Sequence, residues 1–314
     1  MNPDEKEKEE NRQKLADHCE QPVLAYRNEQ FLDSPDARSL RIVSEYLYPL
    51  SHFRKEKVQD TVVFFGSART LEMGANARYY NDARELARRI TEWSDQLPHQ
   101  GRRFVVCSGG GPGIMEAANL GAYLSNYLTS DLDDALALLA KAPDYTSDPT
   151  GYVAAAKEVR TRYPNDSGES LAIPTWAYST EPTGQFSSKI GKYFANSIRE
   201  DGLLAIAVDG VVFARGSEGT LQEVFQNAAH NAYWSFHSRA AMVFLNNQGF
   251  FTQPPSIVDV VAAQAKRAHP PYDGFIGLCA TAKDVVDFIK AHPMQPEPVP
   301  GATRTYGISN RSVV

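Results

Sequence analysis

The stretch Asp209–Glu223 reads D-G-V-V-F-A-R-G-S-E-G-T-L-Q-E and holds residue types suited to gripping a phosphate and presenting an acid. An apolar strand, Val211 to Ala214, runs into the small residues Gly216, Ser217 and Gly219, and a helix is expected from Thr220. A tight strand-to-helix turn leaves backbone N–H groups unpaired at the positive end of the helix dipole. A phosphate sits well there. Glu223 lies one turn into the helix, where its carboxylate can face whatever the turn holds. Thr220-Leu221-Gln222-Glu223 also fits a capping box, with Thr220 capping the helix and Glu223 reaching back. Both roles for Glu223 stay open. Arg215, at the head of the turn, either meets phosphate or fills the turn.

Two further stretches have the same form. Phe104 to Ser108 is an apolar strand followed by Gly109-Gly110-Gly111-Pro112-Gly113 and a helical run, Ile114 to Leu124. Thr61 to Phe65 is followed by Gly66-Ser67-Ala68. Three strand–turn–helix units predict a parallel sheet whose carboxyl edge binds a phosphorylated ligand. The expected contacts are Gly66, Ser67, Gly109, Gly110, Gly111, Gly113, Gly216, Ser217, Gly219 and Thr220, with Met115 and Pro174 beside the turns. Glu116, in the first turn of its helix, either bonds ribose hydroxyls or only favours the dipole. Arg199 either touches the ligand or belongs to a basic face with Lys189 and Lys192.

The elements that must carry these residues follow from periodicity. Residues 1–57 read as a charged arm and a helical lead-in. Ser34-Pro35 starts the lead-in helix, and its stripe Leu40, Val43 and Leu47 is expected to pack on the main domain. Residues 58–292 read as one Rossmann-like, doubly wound α/β domain. Its pattern is strand 61–65, helix 76–93, strand 104–108, helix 114–124, strand 170–173, helix 186–199, strand 211–214, a helix from 220, strand 241–245, helix 257–268, strand 275–279 and helix 282–291. Residues 126–169 form a helical insertion, with patterns at 132–142 and 152–163; a lid and a subunit contact both suit it. Tyr233, Trp234 and Phe236 read as core or dimer contact. The Pro-rich tail, 293–314, is expected to be extended and poorly ordered.

The composition, 42% hydrophobic and 22% charged over 314 residues, supports a sizeable core. A net charge of −6 argues against a nucleic-acid surface, whose affinity rests on basic residues neutralising phosphates. Cys19, Cys107 and Cys279 are far apart, so neither a disulfide framework nor a zinc site is expected, and a reducing cytoplasm fits best. The histidines show no metal-ligand spacing, and no metal or redox cofactor is expected. No apolar run is long enough for a membrane span, and the charged N-terminus is the reverse of a signal peptide.

The order F-G-S-A, G-G-G-P-G-I-M-E-A-A-N-L-G-A, R-G-S-E-G-T-L-Q-E resembles the Lonely Guy family, once labelled lysine decarboxylases and understood as nucleoside 5′-monophosphate phosphoribohydrolases. The resemblance covers roughly 61–125 and 170–246. Against the family motif P-G-G-x-G-T-x-x-E, Gly216, Gly219, Thr220 and Glu223 match; Arg215 stands at the proline and Ser217 at the second glycine. The resemblance implies hydrolysis of the N-glycosidic bond of an AMP-like nucleotide, a homodimer, and catalysis by a glutamate and an upstream arginine. The glutamate is Glu223. Ungapped counting puts the arginine at Glu200, so Arg199 needs a one-residue shift, with Lys189 or Lys192 as substitutes. Such hydrolysis passes through an oxocarbenium-like sugar, for which a nearby carboxylate and cation are the natural partners. A carrier without turnover is the first alternative, favoured by Arg215 and Ser217. A dinucleotide oxidoreductase is the second, opposed by a glycine run that is not G-x-G-x-x-G.

Overall fold

A computed structural model describes residues 3–18, 23–56, 58, 60–97, 104–164, 168–175 and 184–298. The chain divides into two compact units, Met1–Leu47 and Tyr48–Val314. The first holds α1 (Pro3–His18), α2 (Glu29–Asp33) and α3 (Arg38–Lys55) as far as Leu47. Asn28 caps α2, its side-chain oxygen accepting from Phe31 N–H at 3.0 Å. Ser34 does not cap; its hydroxyl donates to Phe31 C=O instead, and Pro35–Ala37 is a 3-10 turn. Leu40, Val43 and Leu47 are each about half exposed.

The second unit is built on a seven-stranded parallel sheet. Its strands are β1 (Asp60–Phe65), β2 (Phe104–Ser108), β3 (Ser170–Ala172), β4 (Lys189–Ile190), β5 (Gly210–Phe213), β7 (Met242–Leu245) and β8 (Ile276–Cys279), ordered β4-β3-β2-β1-β5-β7-β8. A two-stranded ribbon pairs β6 (Ser238–Arg239) with β9 (Gln295–Pro296). The helices are α4 (Ala77–Asp95), α5 (Ile114–Tyr123), α6 (Thr129–Leu139), α7 (Pro149–Arg162), α8 (Asn196–Ile206), α9 (Glu218–Tyr233), α10 (Ile257–Arg267) and α11 (Ala282–Ala291). Among the described residues no helix is long and apolar enough to cross a membrane.

The continuous apolar runs of the central strands follow from cover on both faces. On β1, Val62 and Phe64 point into one core with α4, α5 and α11; Val63 and Phe65 point into the other with α8, α9 and α10. Phe65, Phe213 and Phe244 stack across three neighbouring strands, with centroids 5.8 and 5.4 Å apart. The chain winds outward from β1 through β2, β3 and β4, then returns to place β5 on the other side of β1. The loops leaving β1 and β5 therefore diverge, and a crevice opens between them.

The insertion forms two helices, α6 and α7, which bury their apolar faces against Leu120 and Tyr123 of α5 and Leu124 just after it. One expected helix starts late. The helix expected over 186–199 is split, and only its last residues, from Asn196, are helical. Phe186 is drawn into the insertion's core, while Lys189 and Ile190 pair with Leu171 and Ala172. Gly191 N–H then bonds Ala172 C=O at 2.9 Å. The open edge of β3 offers these backbone groups partners that an isolated helical turn does not.

Two smaller expectations change as well. The tail is anchored where it is described: β9 pairs with β6, and Glu297 N–H bonds His237 C=O at 3.0 Å. Residues 299–314 lie outside the described residues. Of the aromatic cluster, Trp234 is buried under the Arg239 guanidinium, 3.8 Å from its ring centroid, whereas Tyr233 is 81% exposed.

Candidate functional site

The three turns after β1, β2 and β5 are stitched together through their backbones. Ser67 N–H bonds Arg215 C=O at 3.0 Å, and Ser67 C=O accepts from Ile114 N–H at 3.1 Å. Gly110 needs to be glycine: its φ is +74°, and an added Cβ would stand 2.8 Å from Pro174 Cδ. Together the turns enclose a cavity of about 400 Å³ at the carboxyl edge of the sheet.

One side of this cavity is the start of α9. The helix begins at Glu218 with Ser217 as N-cap, and the Ser217 side chain makes no bond to the helix. Its first N–H groups are thus left without intrahelical acceptors, beside Ser217, Gly219 and Thr220 on the cavity wall. This start lies two residues earlier than the sequence suggests. Thr220 is consequently inside the helix, and the capping box with Glu223 does not form. Glu223 instead faces α8.

The opposite side is a buried charge cluster. Arg199 and Glu200, adjacent on α8, have 7% and 2% of their side chains exposed. Nη2 of Arg199 is 3.6 Å from Oε1 of Glu200 and 3.8 Å from Oε1 of Glu223. Glu200 is further held at both oxygens: Asn196 Nδ2 donates to Oε1 at 2.6 Å, and Gln222 Nε2 donates to Oε2. Glu223 receives no hydrogen bond from the described residues. Burial pushes its carboxyl up to about 8; Arg199 pulls it down, and the Glu200 charge pushes it up again. At neutral pH Glu223 therefore holds a proton. Arg199 Nε is buried with no hydrogen-bond partner among the described residues, a donor still to be satisfied.

Most residues singled out in the sequence meet on this cavity: Gly66, Ser67, Gly109, Gly110, Gly111, Met115, Pro174, Arg199, Ser217, Gly219, Thr220 and Glu223. Four do not line it. Gly113 lies beneath the Ser67–Ala68 backbone, and Gly216 faces the Thr220 side chain. Arg215 turns outward to hydrogen-bond Asn76, with its guanidinium over the Phe250 ring at 5.6 Å. Glu116 points to the far side of α5, where the hydroxyls of Tyr80 (2.9 Å) and Tyr152 donate to it, and burial lifts its carboxyl to about 7. Of the substitute cations, Lys192 is on the cavity wall, whereas Lys189 pairs with Glu169 at 2.9 Å away from it.

Wall residues given no role in the sequence reading include Thr175, Glu200 and Glu218. Thr175 follows Pro174 directly, and Glu218 sits inside the motif. Glu200 had a signal, since ungapped counting from the motif lands on it, but its type did not match the cation sought.

Fold and cavity together define a doubly wound parallel α/β protein with a polar cavity at the point where the strand order reverses. No protein-family model and no curated protein matches this chain. Among solved structures it is similar to the molybdenum cofactor binding protein from the phototrophic bacterium Rippkaea orientalis, with 13% identity, 74% of this chain and 96% of that chain covered, and a TM-score of 0.41. A likeness at that level carries no functional argument. The chemistry has to come from the cavity.

Proposed function

We propose that the cavity binds a nucleoside 5′-monophosphate and that the protein hydrolyses its N-glycosidic bond, releasing free base and ribose 5-phosphate. The observation that carries this is the pairing, in one cavity, of an uncapped helix start with a buried acid beside a buried arginine. A volume of about 400 Å³ suits a ligand of nucleotide size. The motif resemblance to the Lonely Guy family points the same way. It is also the sole support for a homodimer, which sedimentation at working concentration tests.

In this scheme the 5′-phosphate accepts from the first N–H groups of α9, and its binding energy positions the ribose. As the bond from the anomeric carbon to the base nitrogen breaks, the electron pair goes to the base. Glu223 supplies the proton that the departing nitrogen takes up. Water adds to the oxocarbenium-like carbon and loses a proton, which returns to Glu223. Arg199, through its unpartnered Nε, stabilises negative charge on the phosphate or the leaving base.

The test is a panel of nucleoside monophosphates assayed for free base. Release is expected to fall by on the order of 10²–10³-fold in Glu223→Gln and in Arg199→Met. A ligand that raises the melting temperature while no base appears would make the protein a carrier.

A further inference from the structure

The cluster holds two buried acids and one buried cation. Glu200 and Glu223 each approach the same nitrogen, Nη2 of Arg199, at 3.6 and 3.8 Å. The two acids are not held alike. Both oxygens of Glu200 accept amide N–H bonds, from Asn196 on its own helix and Gln222 on α9. That pattern suits an ionised carboxylate, which has acceptors only. Glu223 has no such donors among the described residues, and it lines the cavity. With both acids ionised, the buried cluster would carry a net negative charge at high cost. One proton relieves it, and the acid without amide donors is the one to carry it.

We propose that Glu200 is a positioning residue: it fixes and neutralises Arg199, so that Glu223 enters the glycosidic step with its proton on. This role rests on the reading of the cavity as a glycosidic site. Glu200 is 1% exposed and need not touch the ligand to act. The charged groups facing Glu223 are few. From α8 they are Arg199 and Glu200; from its own helix, Glu218, one turn earlier and exposed; from the turn after β1, Arg69; and from the segment before α8, Lys192. Gly109–Gly111 contribute no charge. Of these, Arg199 and Glu200 are the two that act on the Glu223 carboxyl, in opposite directions.

The experiment uses the ligand-free full chain, so its outcome is separate from base release. Difference infrared spectroscopy follows the protonated-carboxyl band with pH, and Glu223→Gln identifies which band belongs to Glu223. In the parent the Glu223 band is expected at pH 7 and should disappear with a midpoint near 8. Its absence at pH 7 would overturn the proposal outright. In Glu200→Gln, Arg199 is left to Glu223 alone, and the midpoint should fall by about one pH unit. Gln222→Met keeps Glu200 but removes one of its amide donors, so Glu200 is held less firmly beside Arg199 and the midpoint falls by less. Should Glu200→Gln not fold, this second variant and the parent carry the test. An unmoved midpoint in the variants that fold refutes the role.

Where base release is found, the alkaline limb of the kcat/KM profile, which reports the free enzyme, should shift down with the infrared midpoint. A purely structural role for Glu200 would leave that limb in place. A protein that releases no base but shows the infrared shifts would retain the electrostatic relationship and lose the glycosidic reading. Base release with an unshifted midpoint would do the reverse.

Discussion

Nη2 of Arg199 stands 3.8 Å from Oε1 of Glu223, with 7% and 10% of the two side chains exposed. The distance is too long for a hydrogen bond, and the same nitrogen also faces Glu200, at 3.6 Å. Attraction to Arg199 consequently fails to offset the desolvation of Glu223, and the folded protein keeps an acid protonated that an unfolded chain would release. A site with this property is costly to keep folded, as functional sites commonly are.

The cost should be visible in stability against pH. The Glu223 carboxyl lies at about 8 in the folded protein and at the ordinary 4.5 when exposed. Between those values the folded state binds a proton that the unfolded state has lost, so stability falls as pH rises through the window and levels off above it. Glu223→Gln removes the dependence. The variant and the parent should be equally stable near pH 4.5, and at pH 9 the variant should lead by on the order of 2–4 kcal/mol. Urea unfolding at the two pH values checks this, and a difference that does not change with pH refutes it.

Gly109 offers a test of the arginine's position that leaves every charged group in place. A Cβ at this residue would stand 2.8 Å from Met115 Sδ and 2.9 Å from Arg199 Nη1. The end of the methionine can move aside at small cost. Moving the guanidinium aside changes its 3.6 and 3.8 Å approaches to Glu200 and Glu223. Gly109→Ala should thus cost about 1–2 kcal/mol of stability through overpacking, yet lower base release by roughly 10²-fold through misplacement. Measuring kcat alongside urea unfolding separates the two effects. Release at the parent's rate would show that Arg199 need not sit where it does.

The sheet was legible because its signals are local and strong. Phe104–Ser108 is a continuous apolar run closed by glycines. The helix expected over 282–291 forms, closed at its start by a capping box the structure adds, with Thr281 Oγ1 accepting from Asp284 N–H at 3.2 Å. The failures lie where a residue's role is set by something distant in the chain. Phe186 has the spacing of a helix face, but its burial is against the inserted helices. Thr220 and Glu223 spell a capping box that a helix beginning at Glu218 cannot use. Arg215 sits within the motif, yet Asn76 and Phe250, far away in sequence, draw it outward. Glu200 reads as one more charge on a helix surface until Asn196 and Gln222 are seen to wrap it.

Tyr152 shows how the insertion is attached. Its hydroxyl, on α7, donates to the buried Glu116 carboxyl of α5, which also accepts from Tyr80 of α4 at 2.9 Å. One acid thereby joins two helices of the sheet layer to the insertion. Tyr152→Phe keeps the ring and its packing but strips Glu116 of one donor, leaving a buried oxygen unsatisfied. The expected loss is about 1–3 kcal/mol, concentrated where the bond was. Amide hydrogen exchange should quicken over Pro149–Arg162 and Thr129–Leu139, which pack on each other, before it does so in the central strands. The Glu116 carboxyl, deprived of a donor that favours its ionised form, should move further above about 7. Exchange that quickens uniformly across the sheet, or a carboxyl that does not move, would show that the insertion is held by its apolar contacts with α5 alone.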